Sequence, residues 1–192
     1  MGKYKFKKNN GFTLVETLIA IGIFSLAIAG IFTSVKSGLQ SSSLSKDRIV
    51  AEYLVQDAIE QIKNIRDENN IRTFKGTATN WLYGMLSNSS EPCYFGKKCY
   101  IDSYIRSTNP GAASVFQCTI GVSLDCPSIQ QHSSGLFGYG IGVVMNPTKY
   151  RRTMQFQNVV SDREVVITVT IDWTERGVDK SYQITQSIFN LQ

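Results

Sequence analysis

Residues 12–35 are apolar except for small hydroxyl residues and one charge, Glu16. This run of 24 residues exceeds the roughly 20 that a helix needs to cross a hydrocarbon core. A second helical pattern follows. Ala51, Leu54, Val55, Ala58, Ile62 and Ile65 keep the 3-4 spacing of a buried stripe, while Glu52, Asp57, Glu60, Lys63 and Asp67 are charged. The pattern predicts a helix ending near Asn69-Asn70. Its weak stretch is 37–45, where Gly38 and five serines disfavour helix. If helical throughout, residues 12–69 make a rod of roughly 87 Å.

Toward the C-terminus the period changes to two. Val165, Ile167, Val169, Ile171 and Trp173 alternate with Val166, Thr168, Thr170, Asp172 and Thr174, which predicts a half-buried strand. A turn over 175–180, containing Arg176-Gly177, leads to a partner strand in which Tyr182, Ile184, Gln186 and Ile188 alternate. An earlier strand over 150–160, with Met154 and Phe156 inward, completes an antiparallel meander whose apolar face packs on the helical stripe. Residues 71–148 are rich in Gly, Ser, Asn and Tyr and read as irregular. The fold class is α+β: a long N-terminal helix, its first half membrane-embedded, packed against a C-terminal antiparallel sheet.

Composition refines this. At 192 residues, 42% hydrophobic and 18% charged, the chain suits one globular domain plus an anchor. The formal charge of +5 rests largely on Lys3, Lys5, Lys7 and Lys8; without them, 16 basic side chains face 15 acidic ones. Nucleic-acid binding is therefore not indicated. Lysine-rich flanks stay cytoplasmic, so everything after about Lys36 is expected outside the cytoplasm. Cys93, Cys99, Cys118 and Cys126 all fall there, where thiols pair, and two disulfides are expected. The short separations suggest local loops, although crossed connectivities stay open.

A carboxylate deep in a membrane helix costs about 2.5 to 3.5 kcal/mol, less near an end, so Glu16 calls for a partner. An ordinary signal peptide, cut after Ala27-Ile28-Ala29 to free Gly30, is one reading of the N-terminus. Against it stand Glu16 inside the apolar run and the run's continuation through Ile31, Phe32 and Val35. A permanent single-span anchor is another. The third rests on Gly11-Phe12-Thr13-Leu14-Val15-Glu16, preceded by lysines and followed by the apolar run. That stretch resembles the class III leader of type IV prepilins and pseudopilins.

The resemblance implies that prepilin peptidase removes residues 1–11 by cutting after Gly11 and N-methylates Phe12. It implies a transmembrane and assembly helix over 12–35, an amphipathic extension over 36–70 and an extracytoplasmic head over 71–192. The new amine at Phe12 lies one helical turn from Glu16, and the two charges can neutralise each other within or between subunits. Gly22, Ser25 and Ala29 share one small-residue face that admits a neighbouring helix, or that is simply common in membrane helices. The implied partners are other pilin subunits, prepilin peptidase, an inner-membrane assembly platform and, before assembly, the lipid bilayer. The implied location is the cytoplasmic membrane and then an extracellular filament. One departure stands out: many major pilins carry a proline in the anchor, and none occurs here before Pro92.

Chemistry is sparse. His132 is the single histidine, the cysteines are expected to be oxidised, and their C-x5-C and C-x7-C spacings do not suit zinc. No P-loop, GxGxxG or HExxH motif occurs. Asp102 and Asp125 read as solvated carboxylates rather than a calcium site. Trp81, Tyr83, Tyr94, Phe95, Tyr100 and Tyr104 read as local core more than as an adhesive surface. No enzyme activity, cofactor or metal is expected. The expected role is a structural subunit, a minor pilin or pilin-like protein. The alternatives are a pseudopilin of a type II secretion or DNA-uptake system and, in a different class, an anchored or secreted binding module.

Overall fold

The computed structural model describes residues 11, 13–77, 80–108, 114–118, 125–140 and 144–191. The chain forms two compact units, Met1–Asp47 and Arg48–Gln192. Helix α1 (Leu14–Phe74) is continuous, including the serine-rich stretch. It runs one turn past the expected stop, because Asn69 faces inward and does not end the helix. Asn69 Nδ2 donates to the carbonyls of Trp81 at 3.2 Å and Tyr83 at 2.9 Å, tying the helix to the segment after it. The actual stop is Gly76, whose φ of 85° suits a left-handed cap. Gly76 N donates to Thr73 O at 3.0 Å and Thr77 N to Arg72 O at 3.1 Å, the paired bonds of a Schellman motif.

The following region is less irregular than its composition suggests. It holds β1 (Cys99–Ile101), α2 (Ser103–Thr108), β2 (Val115–Gln117), β3 (Ser128–Gln131) and β4 (Phe137–Gly138). Elements this short cannot establish a hydrophobic period, so the sequence gives no sign of them. The meander comprises β5 (Asn146–Val160), β6 (Glu164–Glu175) and β7 (Val178–Phe189). β5 begins earlier than the alternation predicts because β3 pairs with it at Asn146 and Pro147. The β6–β7 connection narrows to Arg176-Gly177, with φ values of 52° and 77°. Positive φ at both positions gives a two-residue hairpin whose twist matches the strands. All strands join one antiparallel sheet, ordered β2-β1-β5-β3-β4, with β6 and then β7 continuing from β5.

Within the second unit, the whole predicted stripe from Ala51 to Ile65 is buried. It joins one core with Met154, Phe156, Val165, Ile167, Val169, Ile171, Trp173 and Ile188. Trp81, Met85 and Leu86 close the core from the loop side. Of the loop aromatics, Trp81 is core, Tyr83 is 54% exposed, and Tyr94, Phe95, Tyr100 and Tyr104 are half-buried. Disulfides join Cys93 to Cys99 and Cys118 to Cys126, both as local loops.

The most deeply buried charge among the described residues lies in this core. Arg152 shares the inward parity of Met154 and Phe156 on β5 and is completely buried. Its Nη1 donates to Leu54 O at 3.1 Å and Asp57 Oδ2 at 2.9 Å, and its Nη2 donates to Ser103 Oγ at 3.1 Å and to Ile101 O. Ser103 Oγ in turn donates to Asp57 Oδ2. The Tyr139 hydroxyl is buried beside this cluster. Burial pushes its pKa up to about 12, against the pull of the nearby Arg152 charge toward the phenolate.

Two outcomes follow. Asp57→Ala leaves a buried guanidinium without its counter-charge and should destabilise the head by about 3 kcal/mol. Asp67→Ala, which removes a more exposed partner of Arg66, should cost less than about 1 kcal/mol. Equal losses in denaturant titrations would contradict the buried-pair account. Tyr139 favours the folded state while neutral, so that contribution is intact below the ordinary tyrosine pKa of about 10. It is lost as pH rises toward about 12. Tyr139→Phe should therefore flatten the fall in stability across that window, measured by unfolding at stepped pH.

Candidate processing and assembly site

The first turn of α1 is built by its own residues. Thr13 precedes the helix, and its Oγ1 accepts a hydrogen bond from Glu16 N at 3.3 Å. Thr13 O accepts from Glu16 N at 3.1 Å and from Thr17 N at 3.2 Å. Thr13 is thus the N-cap and Glu16 stands three residues later, the spacing of a capping box, with its negative charge at the favourable end of the helix dipole. The sequence reading missed Thr13. The signal was present, since Thr-x-x-Glu before an apolar run is a helix-start pattern.

The helix then exposes its apolar side chains all round. Leu14, Leu18, Ile21, Phe24, Leu26 and Phe32 are each at least 60% exposed. The helix is long and apolar enough to cross a membrane, and none of its most apolar window is buried by the protein. Its hydroxyls are satisfied locally. Thr17 Oγ1 donates to Leu14 O at 2.9 Å, Ser25 Oγ to Ile21 O at 2.8 Å, Thr33 Oγ1 to Gly30 O at 2.8 Å and Ser34 Oγ to Gly30 O at 3.1 Å. The Glu16 carboxylate has no hydrogen-bond or ion-pair partner among the described residues. It is the one ionisable group in the apolar run.

Gly11 is exposed ahead of the helix. Phe12, at once the expected new terminus, the methylation site and the partner of Glu16, lies outside the described residues, as do residues 1–10. Gly22, Ser25 and Ala29 lie on the helix at the spacing of one face. A Cβ added at Gly22 would meet nothing within 4 Å, so no contact among the described residues requires a glycine there.

The other candidate residues have structural partners. Asp102 is buried, contrary to the expected solvated surface, and caps α2. Its Oδ1 accepts from the backbone N–H groups of Tyr104 at 3.0 Å and Ile105 at 3.1 Å, and its Oδ2 accepts from Tyr139 N at 3.2 Å. Asp125 faces Arg151 at 3.7 Å. His132 Nδ1 bonds the Ser134 hydroxyl at 2.8 Å, and all four cysteines are in disulfides. Among the described residues, no group of three or more His, Cys, Asp or Glu side chains could hold a metal ion.

Comparison with known proteins bears on the N-terminal segment. The family described as the prokaryotic N-terminal methylation motif matches residues 6–32. No curated protein and no solved structure matches the chain. The matched stretch covers the lysines next to Gly11, the Gly11-Phe12 junction, Glu16 and most of the exposed apolar helix. The chain thus carries the methylation motif at the head of a long apolar helix, followed by an antiparallel sheet, an α+β layout like that of a type IV pilin.

Proposed function

We propose that the chain is a structural subunit, a minor pilin or pilin-like protein, of a type IV pilus or a related filament. Prepilin peptidase removes residues 1–11 and methylates Phe12. Residues 12–35 hold the subunit in the cytoplasmic membrane, with the N-terminus cytoplasmic, until the assembly platform passes it to the filament. The observation that carries this reading is Glu16. A carboxylate in an all-round apolar helix, without a partner among the described residues, is costly in lipid. An incoming amine at Phe12 offsets that cost and fixes the axial register of one subunit on another. Gly22, Ser25 and Ala29 permit the close helix approach that such pairing needs. The minor assignment is supported by the position of both disulfide loops, which precede the last three strands.

Two measurements test this. The mature protein should have a methylated Phe12 as its N-terminus by intact mass and N-terminal sequencing; a terminus at Gly30 would assign it to secretion, and one at Met1 to a plain anchor. Glu16→Val should reach the membrane at normal abundance yet be depleted about tenfold or more from sheared filaments, an effect equal to about 1.4 kcal/mol of lost pairing. Normal incorporation of that variant would sink the charge-pair role.

A further inference from the structure

The edge of the sheet carries the next inference, which rests on the filament reading above. β7 pairs with β6 along its whole length, through twelve consecutive residue pairs without a register shift, and with no other strand among the described residues. Its outer edge therefore presents a row of backbone donors and acceptors. Proteins usually guard such an edge with charge, proline, a bulge or a short strand. β7 has charges only at Asp179 and Lys180, and residues 181–189 contain neither charge nor proline. Arg66 Nη1 occupies one carbonyl at the far end, that of Phe189, at 3.3 Å.

The same sheet has a second open stretch. β1 meets β5 only at Met154, and β3 meets it only between Asn146 and Arg151. Beyond Met154 the outer side of β5 has no strand partner among the described residues. Residues 155–158 are uncharged, and a register irregularity between Asn158 and Val160 bounds them. The two open edges thus match in chemistry: backbone groups flanked by glutamine, asparagine, serine, threonine and apolar side chains.

Strand direction decides how they can meet. Arg48 lies over the Tyr182 ring at 5.9 Å, and Arg66 reaches Phe189. Eighteen helical residues rise about 27 Å, and seven strand residues span about 23 Å, so β7 runs alongside α1 in the same sense. β5 runs the same way, since both are antiparallel to β6. Subunits of one polar filament share one direction. A copy turned to pair β7 with β7 antiparallel would run residues 48–66 of its α1 opposite to those of its neighbour.

We infer that β7 of one subunit pairs, in parallel, with residues 155–158 on β5 of a second copy. The contact is heterologous, so it leaves a free edge at each end and propagates along a filament when the rotation between copies does not close a ring. It continues the sheet by strand addition, in which backbone bonds supply affinity and alternate side chains supply selectivity.

The test uses the full-length chain in cells that assemble the filament, with a benzophenone side chain installed at Gln183. The expected product is a crosslink to residues 155–158 of another copy, mapped by mass spectrometry. Crosslinks elsewhere, or none while benzophenone at Leu26 still captures neighbouring subunits, would overturn the edge contact and leave the filament reading standing. Failure at both positions would remove both. A paired substitution separates edge from surface. Thr168 and Thr185 share one hydroxyl hydrogen bond at 3.2 Å on the outer face, so a lysine at either costs the same bond and adds the same charge. Thr185→Lys should lower incorporation about tenfold and Thr168→Lys should not; equal effects would also overturn the contact.

Discussion

Arg152 is the interaction on which the head depends. A fully buried guanidinium is tolerated only when most of its donors are used and a counter-charge is close, and in Arg152 both Nη groups are bonded while Nε is not. Here the requirement draws in Leu54 and Asp57 from α1, Ile101 from β1 and Ser103 from α2, while β5 supplies the cation. Apolar packing between the helical stripe and the sheet would tolerate small sliding of one layer on the other. Bonds to two named carbonyls and one carboxylate oxygen do not, because a shift of one residue leaves a buried charge unpaired. The network therefore converts a general affinity between two apolar faces into one register.

The same requirement explains why α2 and the loop around it stay ordered with so little regular structure. Asp102 holds the start of α2 through Tyr104 and Ile105, and reaches Tyr139 across the loop. The Cys93–Cys99 disulfide fixes the entry to β1, which in turn pairs with β5 at Met154, two residues from Arg152. Short elements that could not fold alone are thus pinned at three chemically different points around one cation.

Periodicity made the long elements legible. The stripe from Ala51 to Ile65 and the alternation from Val165 to Trp173 are each repeated enough to fix both element and buried face. It failed where polar residues do structural work. Asp57 was placed on the charged face by its type, Asp102 on the surface and Asn69 at a helix stop, yet all three turn toward protein partners. Arg152 was readable in principle, since the parity that placed Met154 and Phe156 inward also places residue 152 inward. At the N-terminus, the stretch from Gly11 to Glu16 stood out because its place ahead of the apolar run resembles a class III leader, and the methylation motif matches over that stretch. Thr13 is harder to recognise as a cap because a threonine at the head of an apolar run also reads as part of that run.

Two carboxylates of the head contrast with Glu16. Asp102 is buried and Asp57 largely so, and each accepts hydrogen bonds from groups of its own chain. Glu16 lies in an apolar run where the hydroxyls of Thr17, Ser25, Thr33 and Ser34 each bond a nearby carbonyl, while its carboxylate is unmatched among the described residues. An unpaired carboxylate is costly in lipid, so Glu16 calls for a cation from outside the described residues, at the end of the helix that the methylation motif covers.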